Sequence, residues 1–318
     1  MKKSILLLLA IFVGLVASEN LDNLKTKCGI TNTKACLSLG DIYKGKVDFK
    51  QMKRYYETAC MYNEPQGCLR LAKEFAKRDG GENKFWEFRN YADACEIKSG
   101  EGCYEQASMY VRGDGVEKSS QKAVALYKLA SKYGYAKADV NLGIYYQQGY
   151  IVPKNQQNST RLFAKACNAG AMLGCNNLGL NYIKGVGVKP NRVKAYKLFE
   201  QSCNGDDGNG CRNLGSCYLS GVGVGKDTQK AYSSYLKSCR LKNSGGCYQL
   251  SMMLINGNGV SQDIVRGLVY AKKSCKLKNK TACQNFGKSM AMMQKGCNQG
   301  DKEVCQKLDE FKKLDNEI

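Results

Sequence analysis

The residues of this chain that could do chemistry are its cysteines: the 318 residues include 17 of them and no histidine. Without histidine, Ser-His-Asp and Cys-His nucleophile systems and H-E-x-x-H zinc sites are excluded. Any catalysis must fall to Lys, Tyr, Ser, Asp or Glu. The thiols do not read as metal ligands, since the sequence holds no C-x-x-C and zinc sites are commonly built from such close pairs. No metal and no cofactor are expected. Sixteen cysteines instead form eight pairs with a single spacing: Cys28/Cys36, Cys60/Cys68, Cys95/Cys103, Cys167/Cys175, Cys203/Cys211, Cys239/Cys247, Cys275/Cys283 and Cys297/Cys305. In an oxidising compartment such pairs are a disulfide framework. Cys217 is left over, either a free or intermolecular thiol or a small half-buried filler.

The first members at 60, 95, 167, 203, 239 and 275 lie 35 or 36 residues apart except for one step of 72, where the pair has become Ser131 and Asp139. A fixed period of this size means a stacked array whose units bury their apolar faces against their neighbours. Eight residues of continuous helix would separate two Cα atoms by about 12 Å, whereas a disulfide needs roughly 4.4 to 6.8 Å. The chain must therefore reverse between paired cysteines, and each bridge clamps the tip of an αα-hairpin. Gly67, Gly102, Gly174, Gly210 and Gly246, each just before a second cysteine, are expected to make that reversal.

Two helices per repeat must position these cysteines. Three residues past the second cysteine, or past Asp139, stand Leu39, Leu71, Leu142, Leu178, Leu214 and Leu250; one further on are small residues such as Gly40, Gly143, Gly179 and Gly215; seven past stand Tyr43, Phe75, Tyr146, Tyr182 and Tyr218. Positions 0, 3, 4 and 7 share one helical face. The second helix mirrors this, with Tyr56, Tyr91, Tyr127, Phe163, Phe199 and Tyr235 four residues before its first cysteine or Ser131. Between the helices run loops such as Gly185-Val186-Gly187-Val188, followed by caps at Asn191, Asp227 and Asp263. GVGVG at 221–225 is no dinucleotide fingerprint, because no strand precedes it.

These residues carry a resemblance. L-G-x-x-Y, G-x-G-V and K-A at this period are similar to the Sel-one-like repeats, cousins of the tetratricopeptide repeat. With the added cysteine pairs and an N-terminal signal, the chain resembles the Helicobacter cysteine-rich protein family from about Asp22 to its end. The fold expected is all-α, a right-handed solenoid of about seven αα-repeats stapled by eight disulfides. The resemblance implies binding of penicillin-like compounds and slow β-lactam hydrolysis. The motifs do not support hydrolysis: S-x-x-K occurs at Ser119/Lys122 and Ser234/Lys237, about as often as chance gives, and S-D-N and K-T-G are absent.

Binding has better candidates. The first helices of successive repeats are expected to line the concave side of a helical array. Two and six residues past the second cysteine, or past Asp139, stand Asn141/Tyr145, Asn177/Asn181, Asn213/Cys217 and Gln249/Met253, with Glu105/Met109 before them and Asn285 after. Such amides could grip the backbone of an extended peptide; equally, they could tie down neighbouring loops. The expected ligand is a peptide, a cell-wall fragment or a β-lactam-like compound. The alternative is a non-catalytic scaffold acting on host or envelope proteins.

The N-terminus, MKKSILLLLAIFVGLVASEN, reads as a secretory signal peptide over 1–18. The array would occupy 19–318, secreted or periplasmic, with no transmembrane anchor. The net charge of +21 becomes +19 when Lys2 and Lys3 leave (21 − 2). No nucleic-acid recognition motif accompanies it, so it reads as solvated lysine faces or as attraction to an anionic surface. Regular repeats place 28 residues between one pair and the next, but only 14 separate Cys283 from Cys297. A single helix should run there, putting Cys297/Cys305 on the opposite edge, with a capping helix from about 306.

Overall fold

The structure, a computed structural model, describes residues 21–315; the expected signal peptide lies outside the described residues. Among these, every regular element is a helix: α1 (21–27), α2 (Thr33–Gly45), α3 (Phe49–Met61), α4 (Pro65–Ala76), α5 (Gly81–Glu96), α6 (Gly100–Arg112), α7 (Ser120–Lys132), α8 (Ala136–Gln148), α9 (Gln156–Asn168), α10 (Met172–Lys184), α11 (Arg192–Asn204), α12 (Gly208–Ser220), α13 (Thr228–Arg240), α14 (Ser244–Asn256), α15 (Ile264–Lys276), α16 (Lys280–Asn298) and α17 (Lys302–Asp315). Consecutive repeats form a solenoid with eight disulfides at the junctions. They are Cys28–Cys36, Cys60–Cys68, Cys95–Cys103, Cys167–Cys175, Cys203–Cys211, Cys239–Cys247, Cys275–Cys283 and Cys297–Cys305, with paired Cα atoms 4.3 to 5.0 Å apart. Two compact units divide the chain between Leu142 and Gly143, within α8.

Each bridge clamps a helix–helix turn, and most of the second cysteines are buried there. Cys36, Cys68, Cys103, Cys175, Cys211 and Cys247 are 0% exposed. Each lies in the first turn of a first helix, on the face that also carries a buried leucine three residues on, or in α6 the buried Ala107 four residues on, so its sulfur is part of the core. Cys283 and Cys305, near the C-terminal end, are half-buried.

In the first unit α2 to α7 each pack on the next, in the second α9 to α17 do, and the core is the aromatic-over-small contact that the periodicity predicts. Tyr56, Phe163, Phe199 and Tyr235 are buried. Each lies against a glycine of the facing helix, so close that a Cβ on Gly40, Gly143, Gly179 or Gly215 would come within 2.3 to 2.7 Å of the ring. In the second unit α10 touches α12 and α12 touches α14 directly, so the first helices form one continuous layer there.

The glycines before the second cysteines do not make the reversal. They lie inside the first turn of the following helix, where a Cβ on Gly246 would meet Ser238 Oγ at 2.1 Å and one on Gly67 would meet the Tyr56 carbonyl at 2.5 Å. Their role is close approach of two backbones. The reversal falls earlier, three residues past the first cysteine, at the left-handed residues Asn63, Lys98, Gly170, Asp206, Lys242 and Lys278. There Gly170 N–H donates to the Cys167 carbonyl and Ala171 N–H to that of Ala166, a Schellman closure of the second helix.

At the pairless repeat, Ser131 Oγ donates to Asp139 Oδ1 at 2.5 Å, standing where the disulfide would be. At the C-terminus, α16 runs unbroken through Cys283 and Cys297, so the Cys297–Cys305 bridge lies about 21 Å of helix away from the Cys275–Cys283 bridge. The helix α17 begins at Lys302 rather than near 306, because the Asp301 carboxylate accepts from the N–H groups of Glu303 and Val304, both at 3.1 Å. Its Leu308 and Phe311 are buried, and Phe311 packs on Phe286 with ring centres 5.7 Å apart.

Candidate ligand site on the first-helix face

The amides read from the sequence as a ligand ladder do form a ladder, but its rungs join helix to helix. Asn213 Nδ2 donates to Asn176 Oδ1 of the preceding first helix at 2.7 Å, and Asn285 Nδ2 donates to Tyr248 Oη at 2.9 Å. Asn141 is hydrogen-bonded to the Tyr104 hydroxyl. Each pair is 37 residues apart, one repeat plus one position. The sequence reading missed the acceptor side of these rungs, the residue after each second cysteine, where Tyr104, Asn176 and Tyr248 recur. Asn177 is half-buried and accepts from Asn176 Nδ2 at 3.3 Å. Tyr145 and Gln249 are half-buried. Glu105 holds the same position in α6, and burial, with Glu101 nearby, pushes its carboxyl up.

Asn181, also read from the sequence as a ligand contact, fastens neighbouring elements together. It is 2% exposed. Its Oδ1 accepts from Gln147 Nε2 at 3.2 Å, and its Nδ2 donates to Thr160 Oγ1, which donates onward to the Val186 carbonyl, both at 2.8 Å. The amide thereby links α8, α9, α10 and the glycine loop. A buried amide satisfied at both ends is not available to a ligand. Ser202, Ser238 and Ser274, one residue before first cysteines, act alike at the turns by donating to the Met172, Gly208 and Ser244 carbonyls of the neighbouring turn at 2.7 to 3.0 Å. Their 36-residue spacing was the signal for that role.

Several of the cysteines, first among the residues that could do chemistry, are likewise withdrawn from the surface. Cys36, Cys68, Cys103, Cys175 and Cys211 are bonded and buried, and thiol–disulfide exchange needs an accessible sulfur. Their bridges are staples of the scaffold.

Between α10 and α12 lies a pocket of about 220 Å³, lined by Leu180, Ile183, Phe199, Asn213, Ser216, Cys217, Ser220 and Val222. Its walls are apolar, with Asn213, Ser216 and Ser220 supplying polar groups. Cys217, which the ladder reading paired with Asn213, is 3% exposed and not disulfide-bonded. Burial pushes its thiol up to about 11, so it is no activated nucleophile.

Neither S-x-x-K pair is assembled for hydrolysis. Ser119 Oγ caps α7 by accepting from the Lys122 backbone N–H at 3.3 Å, while the Lys122 ammonium lies over the Tyr110 ring, 5.4 Å from its centre. Ser234 Oγ donates to the Lys230 carbonyl at 2.7 Å. The Lys237 ammonium donates to the Cys203 carbonyl at 2.7 Å and pairs with Asp206 at 2.9 Å. A serine nucleophile needs a base within hydrogen-bond reach, and these two ammonium groups are held elsewhere. No group of three or more potential metal ligands occurs among the described residues.

Segments 100–135, 136–170, 173–207, 208–243 and 244–279 match the Sel1 repeat. Among solved structures, the chain is similar to a protective antigen of uropathogenic Escherichia coli strains displaying an SLR fold, with 25% identity and a TM-score of 0.63. That match covers 88% of this chain and 60% of the antigen. A Sel1 repeat protein from Oxalobacter formigenes is similar at 22% identity and a TM-score of 0.62, covering 77% of this chain and 96% of that one. Cysteine-rich protein B of Helicobacter pylori is 31% identical with a TM-score of 0.35, over 43% of this chain and 98% of that one. No curated protein sequence matches the chain.

Proposed function

Because the chain belongs to the Sel1 repeat family, we propose that it is an extracytoplasmic protein-interaction scaffold whose first-helix face takes an extended peptide. The observation that carries this reading is the pocket between α10 and α12, whose Leu180, Ile183, Phe199 and Val222 would surround one apolar side chain while Asn213, Ser216 and Ser220 bond the peptide backbone. Apolar pockets with a few placed polar groups are the usual form of a recognition site. Eight disulfides suit an oxidising compartment outside the cytoplasm. No described helix is long and apolar enough to cross a membrane.

Host and envelope proteins are the partner classes that fit an exported scaffold. A cell-wall peptide or a β-lactam-like compound would have to enter the same pocket, and hydrolysis there would lack an activated serine. Selection from a displayed random peptide library tests the reading. Enrichment of peptides with a single apolar anchor, lost when Ser220→Trp fills the pocket, supports it. No enrichment, or enrichment unchanged by that substitution, overturns it.

A further inference from the structure

The chain's positive charge is concentrated rather than spread. From Thr228 to Gly300 the sequence holds twelve Lys or Arg and one carboxylate, Asp263, and Asp263 is paired with Arg266 at 3.4 Å. Arg240, Lys242, Lys276, Lys278 and Lys280 are exposed and belong to the two turns closed by Cys239–Cys247 and Cys275–Cys283. None of the five has an ion-pair partner among the described residues. The turns are neighbours, since Ser274 Oγ of one donates to the Ser244 carbonyl of the other at 2.8 Å, so the five charges share one ridge. The carboxylate on the preceding turn, Asp206, is already held by Lys237 at 2.9 Å.

The backbone argues that these charges are more than a solvated face. Lys242 and Lys278 occupy the left-handed positions of their turns, with φ of 59° and 66°. An L side chain is strained there and glycine is not. Other turns place glycine there, Gly134 and Gly170 among them, or a non-glycine residue such as Asn63, Lys98 or Asp206. At 242 and 278 the chain accepts both that strain and the repulsion of like charges.

We propose that this ridge binds a linear anionic polysaccharide, one bearing sulfates or uronic acids, at a surface separate from the peptide pocket. Lysine presents compact, hydrated point charges suited to sulfate and carboxylate groups. A membrane fits less well, because the exposed large apolar side chains include none between Val193 and Met292, leaving nothing on the ridge to insert. Nucleic acid fits less well too, because one arginine stands among the five charges and the ridge carries no exposed aromatic ring for bases to stack on.

Heparin is the probe. The full-length protein should bind it at about 0.15 M salt, and a lysine beside an anionic surface contributes about a fivefold factor in affinity. The double variant Lys242→Gly/Lys278→Gly should therefore bind at least about tenfold more weakly, with a melting temperature equal to or above that of the parent, because glycine relieves the left-handed backbone. The control Lys189→Gln/Lys226→Gln removes the same charge from the glycine-loop edge and should change binding by less than about twofold. No heparin binding at that salt, or equal losses in the two double variants, overturns the proposal. Tighter binding to phosphatidylserine vesicles or to duplex DNA than to heparin overturns it in favour of those ligands.

Discussion

Asn213 on α12 donates to Asn176 on α10 across 2.7 Å, and so an amide read from the sequence as a ligand contact also ties its helix to the neighbouring one. Asn181 is tied more deeply, between Gln147 and Thr160. Removing one partner of a buried hydrogen bond leaves the other unsatisfied, at a cost of about 1–3 kcal/mol. Asn181→Ala should therefore lower stability by about that amount, and Asn213→Ala by about half as much because its amide is half-buried. Asn177→Ala should leave stability nearly unchanged. Urea melts of the three variants check this order, and equal stability throughout would show that the rungs add nothing.

The Ser131–Asp139 hydrogen bond replaces a covalent staple, so its turn should be the first to open. Amide hydrogen exchange should find its protection below that of the flanking turns, bridged by Cys95–Cys103 and Cys167–Cys175. Ser131→Cys/Asp139→Cys restores the missing pair, and closing a nine-residue loop contributes about 2–3 kcal/mol on the chain-entropy model. The oxidised double variant should melt higher than the parent. A lower melting temperature would mean that the local geometry does not accept the bridge.

Cys217 should be silent to thiol reagents in the native protein. Its pKa is raised to about 11 by burial, so the reactive thiolate is scarce at pH 7 and grows only as the pH approaches 11. Titration with a chromogenic disulfide should find no reactive thiol in the native state and one after unfolding without reductant. The folded pKa lies above the ordinary value of 9.0, so the unfolded chain loses its proton first. The stability linked to this group is complete below about pH 9 and declines between about pH 9 and 11. Cys217→Ala should remove that decline.

Gly215→Ala should be among the most damaging single changes. The added Cβ would fall 2.7 Å from the buried Tyr235 ring, which overpacks a contact that fixes the spacing of α12 and α13. Overpacking of this kind costs about 1–3 kcal/mol. Gly225→Ala, where a Cβ meets open space, is the control. Matching melting temperatures for the two variants would remove the close-packing argument.

What the sequence determined by itself was everything governed by short separations. The cysteine pairs are eight residues apart, and a covalent bond across so short a loop dictates a hairpin tip whatever surrounds it. The leucine, glycine and aromatic positions repeat at helical spacing, which assigns the buried faces of α10 and α11 before any neighbour is known. The unbroken α16 follows from the 14-residue gap between Cys283 and Cys297 in the same way. Tertiary structure decided the rest, because it depends on which groups of different repeats meet. The bond of Asn213 to Asn176 spans 37 residues, and whether an amide is satisfied or free depends on what the next repeat places opposite it. The complete burial of Cys175 and Cys211 is of the same kind, since a nine-residue loop sets the bond but not what covers it. The glycines before the second cysteines were misread as turn formers for a related reason: glycine serves both a left-handed turn and a close backbone approach, and only the neighbouring helix tells the two apart. The pocket beside Cys217 and the ridge of Lys242 and Lys278 likewise exist only once adjacent repeats are stacked.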